Sequence, residues 1–232
     1  MTRRLAVIPA RGGSKRIPGK NIAPFCGAPL LAHALRAAAA SGLFDAIHVS
    51  TEDDRVAAVA AAEGFPPAFR RDPALADDHT PLLPDVLRWV VDAFAARGER
   101  FASVTLVMPT APLIGPEDLA AAHALFDRHG GTRPVLAVST FPCPVEWAMR
   151  RAEDGTLTPI QPGMASVRSQ DLPEAWYDSG TFLIMPPEAL AQGAPPPAWI
   201  GHTLPRWKAV DIDTPEDLAL AERLFRGREA SG

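Results

Sequence analysis

The stretch from Arg11 to Asn21, RGGSKRIPGKN, concentrates groups that bind anions. Arg11, Lys15, Arg16 and Lys20 fall within it, Arg3 and Arg4 precede it, and no acidic residue occurs among the first 20. The glycines let backbone N–H groups come close to an anion, and cations flank the turn at both ends. A guanidinium such as that of Arg11 forms paired hydrogen bonds to phosphate oxygens. The ammonium of Lys20 is instead a compact charge suited to negative charge that develops during phosphoryl chemistry. A triphosphate fits this pattern. The loop is not a Walker A loop, because five residues separate Gly13 from Gly19 and Asn21 stands where Ser or Thr would hold magnesium. It is not GxGxxG either, and a solvent-facing basic loop is the alternative reading of the same charges.

A second constellation lies near the other end of the chain. Asp211 and Asp213 are separated by one residue, so on a strand both carboxylates point to one face. Two acids so placed repel unless a cation sits between them, and magnesium prefers carboxylate oxygens shared with substrate phosphates. Asp213 also opens Asp213-Thr214-Pro215-Glu216-Asp217, a good helix start. Asp211 has no such structural role.

The elements that must position these groups alternate. Leu5–Ile8, Ala46–Ser50, Val104–Met108 and Val135–Ser139 read as short buried strands. Between them, Pro29–Ala40, Asp53–Glu63, Thr80 or Pro81 to Ala96, and Pro116–Arg128 read as helices, the third with apolar positions spaced by three and four. The pattern predicts an α/β, doubly wound, mostly parallel sheet with helices on both faces, and ligands beyond the carboxyl ends of the strands. Residues 141–175 break the rhythm with Pro, Gly and polar residues and are expected to form an inserted arm. Thr181–Met185 then predicts a strand, Pro186–Ala191 a short helix, Ala209–Ile212 a final strand and Pro215–Phe225 a final helix.

Composition bounds the rest. The 232 residues predict one domain, 1–232, with an elaborated arm; 47% are hydrophobic and 22% charged, as in ordinary globular proteins. A net charge of -4 argues against nucleic acid as partner, and no apolar run approaches the roughly 20 residues of a spanning helix. Cys26 and Cys143 form no metal-binding pattern, and a cytoplasmic location is expected.

Ile8 to Asn21 resembles the N-terminal signature of the acylneuraminate cytidylyltransferase family, enzymes that activate nonulosonic acids with CTP. The resemblance continues through Ser50-Thr51-Glu52-Asp53, Arg71, Leu75 to Thr80, Pro109 to Leu113, and Asp211 to Asp217. It implies a Rossmann-like nucleotidyltransferase in which Arg11, Gly12, Ser14 and Lys20 hold the CTP phosphates and Asn21 the ribose. Arg71, Asp78 and Thr80 would lie near the base, with a surface ion pair as the alternative for Arg71. Asp211 and Asp213 become ligands of Mg2+, and Arg11, Lys20 and Asp211 the catalytic set.

Val167-Arg168-Ser169-Gln170-Asp171-Leu172 and Trp176-Tyr177-Asp178-Ser179-Gly180 look most like the branch that activates pseudaminic acid. Arg168 is then the partner of the sugar carboxylate, and Gln170, Tyr177 and Asp178 would bond hydroxyl or acyl groups. Arm packing is the alternative for Trp176 and Tyr177. Met108, where sialic acid enzymes usually carry Gln, speaks against sialic acid. Trp176 and Tyr177 replace an expected Tyr-His pair and leave sialic, legionaminic and deoxy-octulosonic acids as alternatives, with a non-catalytic nucleotide-binding module as another. The family's arm joins two subunits, which implies a homodimer.

Overall fold

Leu5, Ala6, Val7 and Ile8 have no solvent exposure, as a strand covered on both faces requires. They belong to β1 (Arg4–Pro9) in a computed structural model that describes residues 3–76, 83–191 and 198–229. The remaining strands, in chain order, are β2 (Pro24–Phe25), β3 (Ala28–Pro29), β4 (Ala46–Ser50), β5 (Ser103–Val107), β6 (Val135–Thr140), β7 (Met149–Arg151), β8 (Leu157–Pro159), β9 (Trp176–Met185) and β10 (Ile200–Thr203). The main sheet has the order β10-β6-β9-β5-β1-β4. β1 pairs in parallel with β4 and β5, and β6 in parallel with β10. β9 runs antiparallel between β5 and β6. The expected mostly parallel α/β sheet is therefore observed.

The helices are α1 (Leu30–Ala40), α2 (Asp54–Ala62), α3 (Leu83–Ala95), α4 (Pro116–Arg128) and α5 (Pro215–Glu229). Side chains alternate across β1. Ile8 joins Leu31, Leu35, Val56, Leu119 and Phe126 of α1, α2 and α4 in one core cluster. Leu5 and Val7 join Leu87, Val90 and Phe94 of α3 in another. Helices thus cover both faces, and the loops at the carboxyl ends of β1, β4 and β5 are left to build a site. α2 starts on Asp53, whose carboxylate accepts from the Arg55 N–H at 2.7 Å.

Three expectations need correction. Ala209–Ile212 is not a strand: its pattern alternates, but Val210 and Ile212 pack with Phe25, Leu30, Leu113 and Phe225 in a third cluster, and Ile212 donates a single backbone bond to Thr110 O. The sheet edge is instead β10, whose Gly201, His202 and Thr203 lack an apolar pattern because an edge strand need not bury both faces. The strand expected at Thr181–Met185 begins at Trp176, so Tyr177, Asp178 and Gly180 are sheet residues. Within 141–175, β7 and β8 form an antiparallel hairpin, and Phe141 N–H donates to Ala175 O at the base. Pro187–Leu190 makes only a 3₁₀ turn.

Candidate active site

Arg11 to Asn21 leaves the end of β1 and lines a cleft of about 330 Å3 through Arg11, Ser14, Arg16, Lys20 and Asn21. Arg71, Met108, Thr110, Asp211 and Asp213 face the same cleft, and Lys15 and Ile17 line an adjoining hollow. The loop is held from inside and from beneath. The Asn21 side-chain amide donates to Arg11 O at 2.9 Å, tying the two ends of the loop together. Gly12 N–H donates to Glu52 Oε1 at 2.7 Å, and a Cβ on Gly12 would lie 2.2 Å from Asp53 Oδ2. Only glycine lets the loop rest on the turn that begins α2.

Across the cleft, Lys20 Nζ donates to Ile212 O at 2.7 Å and to Asp213 Oδ1 at 2.9 Å, and Arg16 approaches the same carboxylate oxygen at 2.9 Å. Burial alone would raise the Asp213 carboxyl, but Lys20 and Arg16 hold it below the usual value. The helix start is served by other residues. Thr214 N–H donates to Asp217 Oδ2 at 2.8 Å and Asp217 N–H donates back to Thr214 Oγ1 at 3.2 Å, a capping box that leaves the Asp213 carboxylate for the cleft.

Asp211 behaves differently from Asp213. Burial pushes its carboxyl up; the Thr110 hydroxyl and Lys20 offset part of the rise, and the charge of Asp213 adds to it. Its Oδ1 is buried with no hydrogen-bond partner. Gly180 of β9 has φ 66°, and a Cβ there would stand 3.1 Å from Asp211 Oδ2. Glycine is required by both the backbone and the close approach, and it places the Asp178–Gly180 segment beside Asp211. The described residues hold no group of three or more His, Cys, Asp or Glu able to bind a metal. The two carboxylates could hold a cation only with oxygens from elsewhere.

Arg71 is 5% exposed, which excludes the surface ion pair. Its Nε donates to Ser50 Oγ at 3.0 Å and its guanidinium donates to Ser50 O at 2.6 Å. Burial pushes the guanidinium down to about 10, partly offset by Glu52 and reinforced by Arg11.

The structure thus brings Arg11, Ser14, Lys20, Asn21, Arg71, Asp211 and Asp213 into one cleft, with Gly12 seated behind it. Asp78 and Thr80 lie outside the described residues. Arg168 and Gln170 lie apart from the cleft lining, exposed on a turn of the arm where Arg168 pairs with Asp171 at 3.0 Å. Tyr177 sets its ring edge against Phe141, centroids 5.1 Å apart, and Asp178 Oδ1 accepts from Gly180 N–H at 2.9 Å. Sequence reading missed Arg16 as a partner of Asp213 and Glu52 as the acceptor under Gly12. Arg16 was visible only as part of a basic cluster, and Glu52 only as part of a motif.

Residues 5–124 match the family model described as Cytidylyltransferase. Over 224 residues, 96% of each chain, the sequence is 33% identical to the pseudaminic acid cytidylyltransferase of Campylobacter jejuni subsp. jejuni serotype O:23/36 (strain 81-176). The chain belongs to the cytidylyltransferase family. It is also 31% identical over 231 residues, 95% of each chain, to the CMP-N,N'-diacetyllegionaminic acid synthase of Legionella pneumophila. The fold of this cytidylyltransferase matches that of a CMP:2-keto-3-deoxy-manno-octonic acid synthetase complexed with CTP, with TM-score 0.70, 17% identity, and coverage of 98% of this chain and 100% of the other. The Rossmann-like α/β nucleotidyltransferase fold expected from the sequence is the fold observed.

Proposed function

We propose that this cytidylyltransferase couples CTP to a nonulosonic acid, with pseudaminic acid favoured, to give the CMP-sugar and pyrophosphate. One observation carries the reading: a cleft at the carboxyl ends of the strands sets the cations of the Arg11–Asn21 loop opposite Asp211 and Asp213. The sugar's anomeric hydroxyl releases its proton to solvent as its oxygen forms a bond to the α-phosphorus, the bond to the bridging oxygen breaks, and pyrophosphate leaves with the electron pair. Arg11 and Ser14 hold the phosphates, and Arg71 faces the base. Lys20 exchanges Asp213 for phosphate oxygens and offsets charge on the leaving pyrophosphate. Gly12 acts through backbone placement, because its N–H is committed to Glu52.

Asp211 and Asp213 suit Mg2+. A buried carboxylate oxygen without a partner, beside a second acid, matches an ion that takes one or two carboxylates and completes its shell with substrate phosphates. When bound, the ion supplies Lewis-acid polarisation of the phosphate and lowers the pKa of the attacking hydroxyl. Arg168 is proposed to exchange Asp171 for the sugar carboxylate, with Gln170, Tyr177 and Asp178 lining the sugar end.

The arm leaves Met149, Leu157 and Ile160 exposed, which supports pairing of two arms in a homodimer. No helix among the described residues is long and apolar enough to cross a membrane, and a cytoplasmic location fits a CTP-using enzyme. The function is tested by pyrophosphate release from CTP and magnesium with pseudaminic, legionaminic and N-acetylneuraminic acids supplied separately. Release with pseudaminic acid is expected to be the fastest. Faster release with another acid reassigns the sugar, and no release with any of the three removes the activity as proposed.

A further inference from the structure

Glu52 does not line the cleft, yet it touches the parts that do. Its Oε1 accepts the Gly12 N–H at 2.7 Å, and its Oε2 is buried with no hydrogen-bond partner. The residues just before it fasten Arg71: Ser50 O accepts from the guanidinium at 2.6 Å and Thr51 O from the Arg71 N–H at 2.9 Å. The Arg70 guanidinium donates to Glu52 O at 2.6 Å, pinning the same turn from outside. Glu52 is half-buried, and leaving its buried Oε2 unpaired is costly. It becomes reasonable where a buried cation needs a counter-charge, and the Glu52 charge acts on Arg71 against the repulsion from Arg11.

We propose that Glu52 is a positioning residue for the nucleotide, fixing the phosphate loop through Gly12 and balancing the buried charge of Arg71, so that one side chain sets both ends of the bound ligand. This inference rests on the reading of the cleft as a nucleotide site. Glu52 touches no reacting atom, so its loss weakens nucleotide binding and spares the chemical step. Gln keeps an acceptor for Gly12 N–H but not the charge, whereas Ala keeps neither.

The test is calorimetric titration of CTP with magnesium into wild type, Glu52→Gln, Glu52→Ala and Lys20→Ala, with kcat measured at saturating substrates. Glu52→Ala is expected to raise the Kd for CTP about ten-fold and Glu52→Gln about three-fold, from the loss of a charge-assisted hydrogen bond or of the charge alone. In both variants kcat is expected to stay within about two-fold of wild type, because the step itself lacks the residue. A Kd unchanged in Glu52→Ala, or a kcat that falls while Kd holds, overturns the proposal. If Glu52→Ala does not fold, Glu52→Gln carries the test, and an unchanged Kd there overturns the charge-balancing role. CTP binding untouched by Lys20→Ala would instead overturn the nucleotide site itself, whereas loss in Lys20→Ala without loss in either Glu52 variant overturns only the role of Glu52.

Discussion

The cleft beside the Arg11–Asn21 loop and the arm are built in opposite ways. Groups in and beneath the cleft are pre-paired and partly buried: the Asn21 amide on Arg11 O, the Gly12 N–H on Glu52, Arg71 on Ser50, and Lys20 on Asp213 and Ile212 O. The arm's candidates are exposed, and the one ion pair at Arg168 is local, to Asp171 on the same turn. A site whose groups are locked before the ligand arrives loses little ordering entropy on binding. On the proposed assignment, CTP meets a site largely ordered in advance, where only Lys20 changes partner, and the sugar acid meets a site completed on binding.

The largest effect is expected from Lys20→Ala, which removes the cation proposed to offset charge on the leaving pyrophosphate, and from Asp211→Ala, which removes a proposed ligand of Mg2+. Turnover should fall by about 10²–10³-fold in either variant, the scale of one lost electrostatic stabiliser, with circular dichroism unchanged. Near-normal rates in pyrophosphate-release assays would detach that residue from the chemistry. Gly180→Ala sharpens the join between the halves, because the new Cβ meets Asp211 and the backbone resists it. Turnover is expected to drop about ten-fold from misplacement of the carboxylate, and an unperturbed rate would show that Asp211 tolerates the shift.

Arg168→Ala should act on the arm alone. The KM for the sugar acid is expected to rise about ten-fold, as for a lost paired hydrogen bond to a carboxylate, with the KM for CTP unchanged in initial-rate assays. A parallel rise in both would erase the division between cleft and arm.

The smallest effect on turnover at neutral pH concerns the core behind the cleft. His48 on β4 and His123 on α4 are buried, and burial lowers each to about 4 from an ordinary 6.5, with nearby arginines adding to the drop. Both are neutral when folded and take up a proton more readily when unfolded. Their contribution to stability is therefore full above about pH 6.5 and lost as pH falls toward 4, by on the order of a few kcal/mol in total. Denaturant melts across that range should show the decline, and His48→Leu should flatten it; a pH-independent midpoint would refute the assignment.

Legibility in the sequence followed the same division. The loop from Arg11 to Asn21 was readable because its ligands are contiguous, and β4 and α4 because their apolar patterns are regular and their ends marked. Val210 and Ile212 alternate as a strand would, but their side chains enter a helix-lined cluster, and no ladder forms. β10 escaped notice because Gly201 and His202 give an edge strand no hydrophobic signature. Glu52 and Arg16 matter through partners 40 and 197 positions away, at Gly12 and Asp213, and spacing alone carries no trace of such meetings.

The most direct test of the contrast is calorimetry of the wild-type protein with CTP and magnesium alone, with pseudaminic acid alone, and with pseudaminic acid after loading with a non-hydrolysable CTP analogue. The expected result is binding of CTP to the free protein, no measurable binding of the sugar acid to the free protein, and sugar binding once the analogue is in place. Sugar binding to the free protein as tight as to the loaded one, or no binding of CTP to the free protein, would contradict the account.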